Sequence, residues 1–386
     1  MKQKSYILMN DREKILSELN QFPENVKKFL EVQVDKSDFP FQVVTLSNFL
    51  KNQNNEKINY LKRLALWGQQ MAPHDPLIYL HAQWALNHLV PRWHFKIIHD
   101  EARNAIYEHA LQKYVTPSAT VLEIGSGTGI LAMLAARAGA KHVYTCEMEP
   151  ALAEVARENI RKNGFDKKIT VIPKKSTELV IGQDLPERAD LVVSELVDNL
   201  LLGENILPIM EDACARLLTP KAAILPKRVS ANGFLVGGSE WTRHCRVNSV
   251  SGFDLSALNR FSYNVSRPQI PGELTGIFSE PVEIFYFEFN FEQYFADEQK
   301  SLEIPVTASG VVDGFLQWIK ISFDDKLNFE NAPLQRSCWE PILHLFSRPV
   351  QVKNGQKFKI YLKHDRSSII ISEAGIHNNH EILNQV

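Results

Sequence analysis

Residues 120–147, TVLEIGSGTGILAMLAARAGAKHVYTCE, decide the fold. A short aliphatic and β-branched run, Thr120–Ile124, ends in glycines at alternate positions, Gly125, Gly127 and Gly129. An alanine-rich run of helical length follows, and a second β-branched run ends at Glu147. Glycines at such a turn let the chain reverse sharply and let a ligand approach the backbone. The spacing is not the dinucleotide G-x-G-x-x-G, because the third glycine comes one position early and Ile130 takes the last place. No Lys-Ser/Thr follows, so a P-loop is excluded. Alone, the loop is equally a plain strand-to-helix turn. Glu147 adds to it, standing about 20 residues further on, where a carboxylate can accept from ribose hydroxyls.

The alternation continues outward through ALAEVARENIRKNG (151–164), ITVIPKK (169–175) and ADLVVSEL (189–196). Short β-branched runs between helical runs predict βαβ units and a parallel sheet, a Rossmann-like α/β domain over 91–225. Gly139 and Gly164 sit where helix C-caps are expected. Residues 1–90 read as helical: Ile15, Leu16, Leu19, Phe22, Val26, Phe29 and Leu30 keep helix-like spacing, with Pro23 as a break. Helices over Tyr60–Met71 and Ile78–Leu89 flank Pro73-His74-Asp75-Pro76 and predict an αα-hairpin, at most one tetratricopeptide-like unit. A packed helical cap and a peptide-binding surface are both open. Past Pro226 the strands VSANGFLVGG, EPVEIFYFEFNF, GFLQWIKISF and FKIYL predict an antiparallel β-barrel or sandwich over 226–386, with turns at Pro271-Gly272 and Asn354-Gly355.

The 386 residues carry 43 Lys and Arg against 45 Asp and Glu, a net charge of −2, which argues against a nucleic-acid binder driven by bulk basicity. A hydrophobic content of 44% argues against a disordered chain. No apolar run approaches the ~20 residues of a membrane span. The start, MKQKSYILMNDREK, lacks the pattern of a secretory signal. Cys146, Cys214, Cys245 and Cys338 form no C-x-x-C pair, so neither a disulfide framework nor a structural zinc is expected. These features predict a cytoplasmic protein without a metal, a membrane or a direct nucleic-acid partner.

The chemistry concentrates after the fourth predicted strand, in Ser194-Glu195-Leu-Val-Asp198-Asn-Leu-Leu-Leu-Gly203-Glu204. Two carboxylates converging on one pocket repel, and one pKa rises unless a cation sits between them. A guanidinium is the natural cation, being planar and matching carboxylates bidentately. Taken alone, Glu195 and Glu204 could equally be solvated loop acids.

The glycine loop with Glu147 resembles the class I S-adenosylmethionine-dependent methyltransferases. The carboxylate segment resembles the double-Glu loop of the protein arginine methyltransferases. Upstream, Trp93-His94-Phe95-Lys-Ile97-Ile98-His99-Asp100-Glu-Ala-Arg103-Asn-Ala-Ile-Tyr107 is similar to that family's H-x-x-M-L-x-D-x-x-R-x-x-x-Y helix, with Ile97 in the methionine position. The resemblance covers about 90 to 365, and members 9 and 7 are the most similar. Those relatives carry two methyltransferase modules, and this sequence has length for one.

The resemblance implies S-adenosylmethionine as cofactor, with Gly125, Gly127, Gly129, Glu123, Arg103 (its carboxylate), Glu147 (its ribose) and Ser176 (its adenine side) around it. It implies Glu195 and Glu204 as the catalytic pair that orients and polarises the guanidinium, and Asp198 and Trp339 as substrate-binding residues. Trp339 could equally be an ordinary core residue. Cys338 stands where many relatives have a histidine. Gly252-Phe253-Asp254-Leu255 resembles the family's dimerisation arm, about 250–272. The implied activity is methylation of arginine-containing proteins by a homodimer, giving monomethyl or symmetric dimethyl arginine. A guanidino small-molecule methyltransferase and a catalytically weak scaffold are the alternatives.

Overall fold

The computed structural model describes residues 24–32, 38–50, 58–87, 90–270 and 272–376. The helix expected over residues 15–22, the last residues of the one expected to reach Leu89, and Pro271 lie outside them. The chain divides into two compact units, residues up to Lys96 with Glu149–Glu154, and Ile97–Met148 with Val155 onward.

The first unit is helical: α1 (Glu24–Glu31), α2 (Phe39–Leu50), α3 (Ile58–Met71) and α4 (Pro76–Leu86). Asp75 caps α4, its Oδ1 accepting from the N–H groups of Leu77 (2.9 Å) and Ile78 (3.2 Å), and Pro76 opens the helix. That is the turn chemistry the Pro73–Pro76 segment predicts. Val44, Ala65, Ile78, Ala82 and Ala85 are buried together between α2, α3 and α4. A Cβ on Gly68 would lie 2.4 Å from Val44 Cγ1, so glycine is what lets α3 approach α2.

A short helix α5 (Trp93–Ile98) leads to α6 (Glu101–Tyr114) and the strands β1 (Thr120–Ile124), β2 (His142–Cys146), β3 (Ile169–Ile172), β4 (Ala189–Ser194) and β5 (Leu218–Leu225). Helices α7 (Ile130–Arg137), α8 (Pro150–Lys162) and α9 (Ile206–Asp212) intervene. The sheet is parallel throughout, in the order β3-β2-β1-β4-β5. Every residue of β1 is buried, as a strand covered on both faces requires.

From Arg228 the strands are antiparallel. β6 (Arg228–Val236), β9 (Val265–Ser266), β10 (Val282–Glu288), β12 (Gly310–Ser322), β13 (Asn328–Glu330) and β14 (Ile342–Val352) form one sheet. β11 (Glu298–Pro305), β15 (Lys357–His364) and β16 (Ile369–Ile376) form another, and β7 (Ser249–Val250) pairs with β8 (Phe253–Asp254) in a short hairpin. The domain boundary expected near residue 225 is a change of sheet and not a break in the core. Tyr107 of α6 packs edge-on against Phe323, 4.9 Å between centroids, and residues of both sheets share one hydrophobic cluster.

Candidate active site

Parallel register brings three segments level at the carboxyl edge of the sheet. Ile124 pairs with Cys146 on β2 and with Ser194 on β4. Gly125, Glu147 and Glu195 each follow directly, so they leave the sheet side by side. The strand order reverses at β1, and ligands of open α/β sheets bind at that point.

Gly125, Gly127 and Gly129 have φ of +87°, +51° and +85°, the left-handed region that only glycine enters freely. A Cβ on Gly127 would meet nothing within 4 Å, so the backbone there is open on that side. The Gly127 N–H donates to Glu147 Oε2 at 2.9 Å, and the N–H groups of Gly125 and Ser126 donate to the Cys146 carbonyl at 3.0 Å. Glu147 therefore stands against the loop and helps hold its shape.

Glu123, on the fully buried strand β1, is 1% exposed. It accepts from the Thr145 hydroxyl, which is bonded in turn to the Ser126 hydroxyl of the loop, and from the Ala132 N–H in the first turn of α7. Burial pushes its carboxyl up to about 8.

Asp100 caps α6, its Oδ1 accepting the Arg103 N–H at 2.9 Å. Arg103 Nη2 donates to Glu195 Oε2 at 2.6 Å, with the two side chains only 4% and 9% exposed. Nη1 donates to Asn104 Oδ1 at 2.7 Å, and Asn104 Nδ2 holds the Ile98 carbonyl at 2.7 Å. The guanidinium lies 5.2 Å from the Tyr107 ring centre, and the Tyr107 hydroxyl donates to the Ser194 carbonyl at 3.1 Å. Burial lowers the pKa of Arg103, but Glu195, by charge and hydrogen bond, outweighs this together with Tyr107 and Cys338, and the net shift is upward. Burial pushes the Glu195 carboxyl up to about 7 against the pull of Arg103. A residue assigned to the cofactor and one assigned to the catalytic pair thus form one ion pair. Its other atoms, Arg103 Nε and Glu195 Oε1, are buried with no hydrogen-bond partner. Buried polar atoms left unpaired cost free energy, so the pair has bonding capacity to spare.

The second carboxylate is placed by a tight loop. Asp198 Oδ1 accepts from the N–H groups of Leu200 and Gly203, each at 3.1 Å. A Cβ on Gly203 would lie 2.3 Å from Asp198 Oδ2, so glycine is required there. Asp198, assigned to substrate, uses one oxygen to staple this loop. Glu204 follows and makes no hydrogen bond or ion pair with any described residue. Its carboxyl is pushed up to about 8, first by burial, then by Glu195, Asp198 and Glu147. Three acids thus lie near Glu204, and one of them, Glu195, is paired with Arg103.

The β domain closes one side. Asp100 Oδ2 accepts from the Cys338 N–H at 2.6 Å and the Ser337 hydroxyl at 3.3 Å. Residue 338 is thus gripped by its backbone, and the thiol there is pushed up to about 12, chiefly by burial and then by Asp100. Trp339 is 5% exposed and packs in the core against Phe329, 5.8 Å between centroids, so its neighbours Ser337 and Cys338 make the contact with Asp100. Ser176 is buried in a 3-10 turn, Ser176–Glu178, beyond β3 at the same sheet edge. The supporting residues Asn104, Thr145 and Ser337 carry no periodicity or spacing that sequence reading could find.

A family model of ribosomal protein L11 methyltransferase (PrmA) matches residues 105–225. An arginine N(omega)-methyltransferase from Streptomyces achromogenes subsp. streptozoticus is 37% identical over 278 residues, 71% of this chain and 76% of that protein. Protein arginine N-methyltransferase 9 of Homo sapiens is 33% identical over 304 residues, 69% of this chain and 35% of the relative. Protein arginine N-methyltransferase 7 of Drosophila melanogaster is 29% identical over 324 residues, 71% of this chain and 46% of the relative. The chain therefore spans less than half the length of these last two. The Trypanosoma brucei PRMT1 enzyme–prozyme heterotetrameric complex with AdoHcy shares the fold at a TM-score of 0.61 and 22% identity, covering 71% of this chain and 89% of that one. Arabidopsis thaliana protein arginine methyltransferase 10 shares it at 0.57 and 20%, covering 69% and 86%. On its identity to the Streptomyces relative across three quarters of that protein, the chain belongs to the arginine N-methyltransferase family.

Proposed function

We propose that this protein transfers a methyl group from S-adenosylmethionine to a guanidinium nitrogen of arginine in protein substrates, giving monomethyl or symmetric dimethyl arginine. The carrying observation is Glu204, a half-buried carboxyl with no hydrogen-bond partner among the described residues, close to Glu195, Asp198 and Glu147. Such a cluster is completed by a planar cation with several donors.

The residues present fit the cofactor. The open face of the glycine loop at Gly127 admits a ligand against the backbone. Glu147 stands beside it for ribose hydroxyls, and the spare bonding capacity of Arg103 suits a carboxylate. S-adenosylmethionine would supply an electrophilic sulfonium methyl there. Glu204 and Glu195 Oε1 would bind the guanidinium, draw its positive charge to the nitrogens they hold and leave the third free to attack. The nitrogen left free would take the methyl, with the sulfur leaving as a thioether, and would then have a proton to lose. Glu204, ionised when it holds the guanidinium and made a stronger base by surroundings that push its carboxyl up to about 8, would be the acceptor. The rate gain comes from alignment and preorganised charge.

The arm supports self-association. Phe253, Leu258, Phe261 and Tyr263 are 63–74% exposed on a short hairpin and turn, an apolar surface that a second copy would cover. Light scattering that gives a monomer mass for the active protein counts against the homodimer.

A second reading is methylation of a small guanidino compound, since the Streptomyces relative is named for arginine without mention of protein. The test is incubation with labelled S-adenosylmethionine, Arg-Gly peptides and guanidino metabolites in parallel, with arginine products resolved by mass spectrometry. Labelled ω-methylarginine in the peptide supports the first reading. Label only in the small molecules supports the second, and no label in either contradicts both.

A further inference from the structure

Arg216 has no part in the reading above, yet all its donor groups are engaged. Nε and Nη2 fork onto Asp212 Oδ1 and Oδ2, both at 2.6 Å. Nη1 donates to the Leu179 carbonyl at 2.9 Å and Nη2 to the Ser176 carbonyl at 3.3 Å. Those carbonyls bracket the turn Ser176–Glu178 beyond β3. Asp212 ends α9, the helix that starts just after Glu204. Arg216 itself lies in a π-helical turn, Ala213–Leu217. Such turns are rare and occur frequently at functional sites.

The sheet places the bracketed turn at the ligand edge. Cys146 and Ile172 pair at the ends of β2 and β3, and the Glu147 N–H donates to the Ile172 carbonyl at 3.0 Å. The chain beyond β3 therefore leaves beside Glu147, on the side away from the glycine loop and β4. A flat group bound past Glu147 would meet this turn. Two backbone bonds close the turn, the Glu178 N–H to the Lys175 carbonyl at 3.0 Å and the Leu179 N–H to the Ser176 carbonyl at 3.1 Å. The bridge from Arg216 ties the turn to Asp212 at the end of α9.

We infer that Arg216 is a positioning residue for the cofactor: its guanidinium bridges Asp212 to the carbonyls of Ser176 and Leu179 and so holds the turn that receives the adenine end. The inference rests on the proposed use of S-adenosylmethionine. Lysine keeps the charge but cannot fork onto a carboxylate and reach two carbonyls at once.

The test uses the full chain and its Arg216→Lys and Asp212→Asn variants, with S-adenosylhomocysteine binding measured by calorimetry and steady-state kinetics beside it. Losing one or two charge-assisted hydrogen bonds predicts about tenfold weaker binding by Arg216→Lys and a matching rise in KM for S-adenosylmethionine. KM for the arginine peptide and kcat at saturating cofactor stay unchanged. Asp212→Asn weakens binding less, and the double variant is no worse than Arg216→Lys, because both act through one bridge. Unchanged affinity in Arg216→Lys overturns the inference, as does a fall in kcat and thermal stability with KM for the cofactor unmoved. If the unsubstituted protein binds no S-adenosylhomocysteine, the functional reading fails first. If it binds and Arg216→Lys binds equally, only the role of Arg216 fails.

Discussion

Glu123 beneath the glycine loop and Glu204 at the end of the carboxylate loop both hold a proton to about pH 8, and burial is the first cause in each. Their surroundings differ. Glu123 sits in a hydrogen-bonded network with the Thr145 hydroxyl and the Ala132 N–H. Glu204 has no partner and three acids nearby. A raised carboxyl is therefore not by itself a sign of catalysis. Whether its hydrogen bonds are already made separates a structural acid from one that awaits a cation.

The largest expected effect comes from removing the unpartnered acid. Glu204→Gln lowers kcat by about a thousandfold, as loss of a preorganised group at the reacting centre does. Cofactor affinity and thermal stability do not fall. If turnover survives and stability drops, the two acids have been assigned the wrong way round. Glu123→Ala is the mirror experiment. It strands the Thr145 hydroxyl and the Ala132 N–H and costs about 1–3 kcal/mol in urea unfolding, with weaker cofactor binding. Glu123→Gln keeps the shape and a carbonyl acceptor and loses much less. An equal loss in both variants would show that charge, not hydrogen bonding, is what Glu123 supplies.

pH separates the pair further. Catalysis needs Glu195 and Glu204 ionised, so kcat/KM rises as pH climbs through the range from about 7 to about 8 and levels above it. A profile flat from pH 6 to 9 would contradict this. Stability runs the other way. A carboxyl whose folded pKa exceeds its unfolded value binds its proton more tightly in the folded state. Folded stability is therefore lost as pH rises from the ordinary carboxylate value of 4.5 toward about 8. Glu204→Gln removes its share and makes the decline in melting temperature shallower, which scanning calorimetry across pH reads directly. The smallest effect is expected from Cys338→Ser. The thiol is neutral, held near 12, and Asp100 grips the backbone N–H of residue 338. Turnover and alkylation resistance should change little, and a large loss of kcat would give the side chain a role that the geometry does not.

The same contrast explains what was legible in the sequence. The glycine loop, Glu147, the Asp100–Arg103 helix start and the carboxylate segment are local patterns, and the parallel register brings them to one edge. What the sequence concealed depends on strands meeting across long separations. Thr145 lies under Glu123 only because β1 and β2 pair in register, and Ser337 meets Asp100 only because the β domain shares its core with α6. Glu123, implied by the resemblance as a cofactor residue, is held by the Thr145 hydroxyl on the neighbouring strand, a partner the sequence does not show. Arg103 and Glu195, read as separate contacts, proved to be partners 2.6 Å apart. The change of pattern at Pro226 marked a new sheet, while the core runs across it.

The most direct test of the account is a single-turnover assay of Glu204→Gln with an arginine peptide, run beside calorimetry with S-adenosylhomocysteine. The account predicts cofactor binding equal to that of the unsubstituted protein and no ω-methylarginine by mass spectrometry. Methylarginine formed at the unsubstituted rate would contradict it.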